Sequence, residues 1–165
     1  MAYCLDANTF IQARNHYYGF DICPAFWEWL DVEAKNGNVL SIEPVAKLEL
    51  EPWGGELNTW GLARIGTLFQ PMDDKANALI AGLTAWANAN NHFTSAAKRE
   101  FNSSVDVQLI AYAKAHGHTL VTQEVRSEAR KKIKIPTVCD AFDVKTKTTF
   151  EMLHDLKARF VLEAA

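Results

Sequence analysis

Short apolar runs alternate with longer amphipathic segments along this chain, a pattern typical of strands separated by helices. Residues 2–5 form an apolar run that ends at Asp6, which predicts a buried first strand with a carboxylate at its carboxyl end. Residues 24–37 repeat apolar positions at helical spacing and close with an Asn-Gly pair, so they predict a helix. Residues 39–42 predict a second strand.

Helical patterns dominate the middle of the chain. Residues 45–51 suit a strand and a helix equally well. Residues 56–69 predict a packing helix, because their large apolar side chains share one side. Asp73 or Asp74 can cap a further packing helix. After a polar hinge, residues 96–101 predict a short helix.

The clearest unit is a helix that leads directly into a strand. Ser103 or Ser104 can cap a helix over about residues 105–115, and Gly117 suits the left-handed position that ends it. Residues 119–122 then predict a buried strand. Strands that alternate with helices in this way indicate an α/β fold with an open, mostly parallel sheet.

The C-terminal part combines a basic loop with two helical patterns. The loop covers residues 126–134, and residues 135–142 predict a capped turn of helix. A long amphipathic helix is predicted after Thr148 or Thr149, either of which can cap it.

Length and composition narrow the class of protein. The 165 residues are 48% hydrophobic and 22% charged, which excludes a disordered chain and predicts a single domain over residues 1–165. No apolar run approaches the roughly 18 residues of a membrane-spanning helix. Asp6 interrupts the place where a signal peptide would be apolar. We therefore expect a soluble, cytoplasmic protein with no membrane partner.

Cysteines and net charge restrict the chemistry further. The three cysteines, at positions 4, 23 and 139, form no C-x-x-C pair, so reduced thiols are expected rather than disulfides or a zinc knuckle. A net charge of −3 gives no general attraction to nucleic acid. A polyanionic partner would need a local basic patch or a metal ion.

Acidic residues follow two of the predicted strands. In open α/β sheets functional groups gather at the carboxyl ends of the strands, and Asp6 and Glu124 both lie just beyond such ends. Asp106 falls in the first turn of the helix that leads into the strand before Glu124. Each acid also has an ordinary interpretation, as a helix N-terminal residue or as a solvated surface residue.

Four segments together resemble one protein family. They are YCLDANTF at the start, the Glu49-Leu50 pair after the second strand, VDVQLIAYAKAHGHTLVTQE, and KIPTVCDAFDVKTKTTFEML. In this order they resemble PIN-domain ribonucleases, and among these the VapC-like toxins of bacterial toxin–antitoxin pairs. The resemblance runs from Tyr3 to about Leu153.

The resemblance implies a three-layer α/β/α fold and the hydrolysis of RNA phosphodiester bonds with Mg²⁺ or Mn²⁺. It places Asp6, Glu49, Asp106 and Glu124 in one catalytic, metal-binding cluster. It also implies a protein antitoxin as inhibitor, and a homodimer is plausible on the same ground. The family often has Asp where this chain has Glu124, one methylene longer. The second acid stays open, because Glu43 and Glu51 lie near Glu49.

Elementary electrostatics gives a separate reason for a metal ion in such a cluster. Converging carboxylates repel one another and raise each other's pKa, unless a hard divalent ion is bound between them. Asp6 and Asp106 are expected as direct ligands, with Glu49 and Glu124 orienting metal-bound water or a second ion. The sequence leaves open the roles of two further residues near these acids.

The first of these neighbours, Asn8, is either a hydrogen-bonding partner behind the ligands or a local turn residue. The second, Thr122, either steadies a carboxylate or the phosphate, or is an ordinary strand residue. Neither alternative is decided by the sequence.

The basic loop is the candidate for gripping an RNA backbone, since it follows Glu124 directly. A solvated loop without a partner is the alternative interpretation. Its cationic residues are Arg126, Arg130, Lys131, Lys132 and Lys134. After the first strand, Tyr17, Tyr18 and Phe20 could stack on bases, although packing or an antitoxin groove explains them equally well.

Two other functions compete with the ribonuclease hypothesis. A phosphatase of the haloacid dehalogenase type also begins with Asp after its first strand, but it needs a second Asp where this chain has Asn8. A catalytically weak PIN-like module that binds RNA or protein is the stronger alternative. It is motivated by Glu124 in place of Asp and by the uncertain second acid.

Overall fold

A computed structural model describes residues 1–162 of the chain. The strands are β1 (Tyr3–Leu5), β2 (Val39–Ile42), β3 (Phe69–Gln70), β4 (Thr119–Val121) and β5 (Thr146–Lys147). They form one sheet in the order β3-β2-β1-β4-β5, and every neighbouring pair is parallel. The predicted α/β fold with a mostly parallel sheet is confirmed, whereas the prediction of a single domain over residues 1–165 stays a prediction.

Helices connect the strands and occupy most of the described chain. The α-helices are α1 (Ala7–Gln12), α2 (Pro24–Lys35), α3 (Gly55–Leu62), α4 (Asp74–Ala89), α5 (Ser95–Ser103), α6 (Val105–His116), α7 (Ile135–Ala141) and α8 (Thr149–Asp155). Two π-helical turns, Ala13–Tyr17 and Val45–Glu49, and a 3-10 turn, Glu51–Trp53, lie between them. The ambiguous residues 45–51 are therefore helical.

The helices cover both faces of the sheet, so the fold has three layers, α/β/α. The connection from β1 to β2 runs one way across the sheet and that from β3 to β4 runs back. Right-handed crossovers therefore place their helices on opposite faces. On one face α4 packs along α6, which also contacts β2 and β4. On the other face Phe10, Trp27 and Trp60 join α1, α2 and α3 in an aromatic cluster.

The strand order creates a crevice at one edge of the sheet. From β1 the chain goes first to β2 on one side and later to β4 on the other, so the direction reverses between β1 and β4. Ligand sites of open α/β sheets lie at this reversal, beyond the carboxyl ends of the strands. Leu5 is paired with Val121 there, so Asp6 and Thr122 emerge side by side.

The helix predicted over residues 56–69 is wrong in extent. α3 ends at Leu62, and the backbone carbonyl of Arg64 then accepts hydrogen bonds from the N–H groups of Leu68 and Phe69. Gly66 supplies a left-handed conformation, with φ of 83°, that lets the chain turn within this loop. Phe69 consequently starts β3 instead of ending a helix.

The predicted long C-terminal helix is also wrong in length. α8 begins with a capping box, in which Thr148 and Glu151 each accept a hydrogen bond from the other's backbone N–H. It ends at Asp155, and Lys157 adopts a positive φ of 54° that no helix can continue through. Phe160 then returns to pack against Trp29.

Two further features are the lengths of the helices and the state of the cysteines. No helix of residues 1–162 is long and apolar enough to cross a membrane. All three cysteines are free, with Cys4 and Cys139 buried and Cys23 half-buried. Reduced thiols are therefore what the structure contains.

A pair of glycines provides a test of the helical framework. Gly117 ends α6 with φ of 65°, where a side chain is strained, while the exposed Gly82 lies inside α4 with open space around its Cα. Gly117→Ala should lower the free energy of unfolding by about 1–2 kcal/mol, and Gly82→Ala should raise it by about 0.5–1 kcal/mol. Urea denaturation measures both changes, and equal effects of the two substitutions would contradict the assigned conformations.

Candidate functional site

A cavity of about 240 Å³ opens at the reversal of the strand order. It is lined by the four acids that the sequence selected, and each arrives from a different element. Asp6 follows β1, Glu49 ends the π-helical turn after β2, and Asp106 lies in the first turn of α6. Glu124 lies just beyond β4. The structure therefore brings together residues that are far apart in sequence.

Asp6 is the most deeply placed of these acids, with 2% of its surface exposed. The Thr122 hydroxyl donates a hydrogen bond of 3.0 Å to its Oδ2. The Asn8 amide lies 3.5 Å from the same oxygen and also donates to it. Asn8 and Thr122, whose roles the sequence left open, thus both contact the carboxylate of Asp6 and hold it in position.

Thr122 connects two of the acids. Its Oγ1 donates to Asp6 and accepts a hydrogen bond of 3.1 Å from the backbone N–H of Glu124. Thr122 is buried directly after β4, where its position is fixed by strand pairing. The hydroxyl therefore fixes the start of the Glu124 loop relative to the end of β1.

Glu124 is held at both carboxylate oxygens. Oε2 accepts a hydrogen bond of 2.8 Å from the backbone N–H of Ile135, the first residue of α7. Oε1 lies 3.3 Å from the ammonium nitrogen of Lys132. The longer side chain of Glu at this position thus reaches a helix N-terminus, where a negative charge is favoured.

Glu49 is the one of the three neighbouring glutamates that lines the cavity. Its Oε2 is buried and has no hydrogen-bond partner among residues 1–162. Glu43 instead forms an ion pair with Lys47, and Glu51 is exposed at the start of the 3-10 turn. A buried carboxylate oxygen without a partner is costly, so Glu49 is suited to an added ligand.

Burial and mutual repulsion shift the pKa values of three of these acids upward. Burial, with a smaller contribution from Glu124, raises the pKa of Asp6 to about 6, although Thr122 and Asn8 oppose this. Burial, then the charge of Asp6, raises the pKa of Asp106 to about 7. Burial, then the charges of Asp6 and Asp106, raises the pKa of Glu49 to about 8.

The donor set fits a hard divalent cation. Within residues 1–162, no three His, Cys, Asp or Glu side chains already lie close enough together to hold a metal ion. The acids nevertheless share one cavity, raise one another's pKa, and include the unpartnered Oε2 of Glu49. Carboxylate oxygens are the ligands that Mg²⁺ and Mn²⁺ prefer, so Asp6, Glu49, Asp106 and Glu124 could hold such an ion.

The five predicted RNA-binding cations differ in their surroundings. Arg126 forms a two-pronged ion pair with Asp140, with both N···O distances 2.7 Å. Arg130 donates a hydrogen bond of 2.9 Å to the carbonyl of His92. Lys132 reaches into the acidic cavity. In the described part of the chain, no carboxylate pairs with Arg130, Lys131 or Lys134, so these three keep a free charge.

Two of the three aromatic side chains after β1 pack within the fold. Tyr18 stacks on Phe26 with a ring distance of 4.5 Å, and Phe20 stacks on Trp27 at 4.0 Å. Tyr17 is 56% exposed and makes an edge contact with Phe150. The packing interpretation therefore holds for Tyr18 and Phe20, which are half-buried, and Tyr17 is the most exposed of the three.

One acid of the cavity was missed at the level of the sequence. Glu100, on α5, lines the cavity and adds to the repulsion that raises the pKa of Asp106. It lies on a short amphipathic helix immediately before α6, and the chain between them is a single residue, Ser104. That close connection is the signal that places Glu100 near Asp106.

A comparison with protein families gives a match over nearly the whole chain. Residues 3–160 match the family described as a domain of unknown function, DUF4411. The chain belongs to the DUF4411 family. No curated protein and no solved structure matches this DUF4411 member. The family match includes every acid of the cavity, so the site lies inside the DUF4411 domain.

The raised pKa values predict how stability depends on pH. Asp6, Glu49 and Asp106 bind protons more tightly in the folded chain, with pKa values of about 6, 8 and 7, than in the unfolded chain, at about 4. Their contribution to stability is therefore greatest at low pH and is lost as the pH rises from about 4 to about 8. Thermal unfolding without metal should show a falling Tm over that interval.

The matched measurement uses Asp6→Asn, whose amide has no proton to lose as the pH rises. This variant should show a weaker fall in Tm than the native chain over the same pH interval. Equal changes of Tm with pH in the native chain and in Asp6→Asn would contradict the crowding of these acids.

Proposed function

We propose that this DUF4411 protein is a metal-dependent endoribonuclease of the PIN-domain type that uses Mg²⁺ or Mn²⁺. The observation that carries the proposal is the arrival of Asp6, Glu49, Asp106 and Glu124 in one cavity at the reversal of the strand order. The resemblance to PIN-domain ribonucleases supports RNA as the substrate. The reaction is the attack of water on phosphorus, with cleavage of the bond to the leaving ribose oxygen.

Each acid has a role that follows from its surroundings. Asp6 and Asp106 are proposed as direct ligands, because Asp6 sits deepest and its charge acts on Asp106. Glu49 and Glu124 are proposed to orient the attacking water. They lie on different elements, the turn after β2 and the loop after β4, and they line the same cavity as the two aspartates. A bound divalent ion would lower the pKa of a coordinated water and offset negative charge on the phosphate.

Neighbouring groups of the chain keep the acids in position. Thr122 and Asn8 donate hydrogen bonds to Asp6, and the backbone N–H of Ile135 holds one oxygen of Glu124. Such partners behind the ligands reduce the freedom of the carboxylates, and their loss typically weakens metal affinity or activity about 10–100-fold. The protein thereby prepares the geometry before a substrate binds.

The cavity rim supports an RNA partner. Lys131 and Lys134 carry charges without carboxylate partners in the described chain, and they flank Lys132, which enters the cavity. Cations at this place could contact the phosphates on either side of the cleaved bond. Arg126 contributes less, because Asp140 already neutralises it.

The resemblance also supports the biological setting that we propose. A VapC-like toxin acts in the cytoplasm and is held inactive by a protein antitoxin, and the antitoxin would cover the acidic cavity. A homodimer belongs to the same proposal. These statements rest on the resemblance alone.

A second candidate is a PIN-like module that binds RNA or protein and cleaves poorly. The engagement of Glu124 with Lys132 and with the N-terminus of α7 favours it, because one of the four acids is then occupied. This candidate predicts RNA binding without turnover.

RNA cleavage tests the proposed activity. Purified protein incubated with a mixed RNA and Mn²⁺ or Mg²⁺ should cleave it, and EDTA should abolish cleavage. Asp6→Asn and Asp106→Asn should each lower the rate by about 100-fold or more, because each removes a proposed ligand. Asp143→Asn is the control, since Asp143 is exposed outside the cavity in a conformation that suits Asn.

The outcomes separate the two candidates. Cleavage that survives EDTA, or that persists in Asp6→Asn, would contradict a metal-dependent reaction. RNA binding without metal-dependent cleavage would favour the module.

RNA affinity tests the rim cations. The double variant with Lys131→Ala and Lys134→Ala should bind RNA more weakly. The slope of the log binding constant against log salt concentration should also become shallower by about 1.4, because each lost phosphate contact contributes about 0.7 for a single strand. The control is Lys114→Ala with Lys145→Ala, which removes the same charge beside a different cavity. Binding would be measured in EDTA to prevent cleavage. Equal effects of the two double variants would contradict an RNA-binding role of the basic loop.

A further inference from the structure

Lys132 places a positive charge inside a cavity built from carboxylates. Its ammonium nitrogen lies 3.3 Å from Oε1 of Glu124, whose side chain is only 14% exposed. The cavity is lined by five acids: Asp6, Glu49, Glu100, Asp106 and Glu124. Among the described residues that line it, Lys132 is the only basic one.

The charge of Lys132 acts on several of these acids. Glu124 foremost, and Asp106 and Glu100 to a smaller extent, raise the pKa of the ammonium group. In return, the charge of Lys132 opposes the rise in the pKa of Asp106. The ammonium therefore offsets part of the carboxylate repulsion in the folded protein, and it stays protonated in doing so.

The hold of the cavity on Lys132 is weak. Its side chain is 51% exposed, and half-exposed ion pairs contribute little to stability. The backbone that follows Lys132 is fixed, because Ile133 and Ile135 are both buried. Leaving the cavity would therefore require only the lysine side chain to rotate into solvent.

The departure of Lys132 would leave Glu124 ready to bind another cation. Oε2 of Glu124 would stay bonded to the backbone N–H of Ile135, so that Oε1 would keep its place with a free lone pair. In the proposed centre Glu124 would orient water on the divalent ion, so Lys132 and the hydrated ion need the same carboxylate oxygen.

We propose that Lys132 is an internal counter-cation, which occupies the acidic cavity in the metal-free protein and is displaced when a divalent ion binds. The inference rests on the proposed metal centre and gives Lys132 a role different from that of its neighbours in the basic loop. Lys132 is a positioning residue in this account, because it acts through Glu124 and sets the metal concentration at which the centre fills.

Calorimetric titration of the full chain with Mn²⁺ at about pH 8 tests the inference, because this pH lies above the raised pKa values of the two proposed ligands, Asp6 and Asp106. Lys132→Met and Lys132→Gln should bind Mn²⁺ about two- to fivefold more tightly than the native chain, since no ammonium has to be displaced. Lys132→Arg keeps the charge and should restore the native affinity. Lys131→Met is the control for removing a nearby positive charge outside the cavity.

Thermal unfolding supplies an independent readout. Without metal, Lys132→Met should have a lower Tm than the native chain, because the carboxylates lose their counter-cation. With saturating Mn²⁺ the two Tm values should converge. A purely structural role of Lys132 would lower the Tm equally in both conditions.

The results distinguish the inference from the proposed function. If the native chain bound no Mn²⁺, or Asp6→Asn bound it equally well, the metal centre itself would be overturned. If the native chain bound Mn²⁺ and Lys132→Met bound it no more tightly than Lys131→Met, only the role of Lys132 would fall. Weaker binding by Lys132→Met would overturn it as well.

Discussion

The crowding of carboxylates at the end of the central strand is the constraint on which the rest of the molecule depends. Asp6 is buried directly after β1, where an isolated charge would be expensive. Two donors, Thr122 and Asn8, offset part of this cost, and both are positioned by the backbone around β1 and β4. The remaining repulsion appears as the raised pKa values of Asp106 and Glu49. A bound cation would reduce this repulsion between the carboxylates.

The fold makes this crowding possible through its short and mostly buried central strands. Leu5 and Val121 are buried on a sheet covered by helices on both faces, so polar groups are displaced to the strand ends. The carboxyl ends of parallel strands lie at one edge, and the reversal of direction between β1 and β4 opens the crevice there. Separate elements, the π-helical turn after β2 and the start of α6, then deliver Glu49 and Asp106 to the same place.

The sequence allowed prediction where a pattern is local. β1, β2, β4 and the helix that precedes β4 have strong apolar runs or caps, so Asp6 and Glu124 could be assigned to strand ends. α1 was not predicted, because Phe10 is the only large fully buried side chain in it and no periodic pattern results. β3 and β5 have two residues each and exist only through pairing with their neighbours. Such elements depend on tertiary contacts.

In the candidate site, too, residues placed by tertiary contacts could not be predicted from a local pattern. Glu49 could not be separated from two neighbouring glutamates, because residues 45–51 carry no clear period and the phase of the turn decides which carboxylate points inward. Glu100 and the inward position of Lys132 depend on how α5 and the basic loop approach α6. Membership of the DUF4411 family settles neither point, since function belongs to the site and not to the fold.

The balance of charge in the cavity links stability to the proposed function. Five carboxylates against one ammonium leave the metal-free cavity with excess negative charge, which the folded chain tolerates at a cost in stability. In the proposed centre the same excess is the source of affinity for a divalent ion, because binding removes the repulsion that folding created. A cavity with more basic residues would be more stable without metal and poorer at capturing it. One half-exposed lysine gives partial neutralisation that a stronger cation can replace.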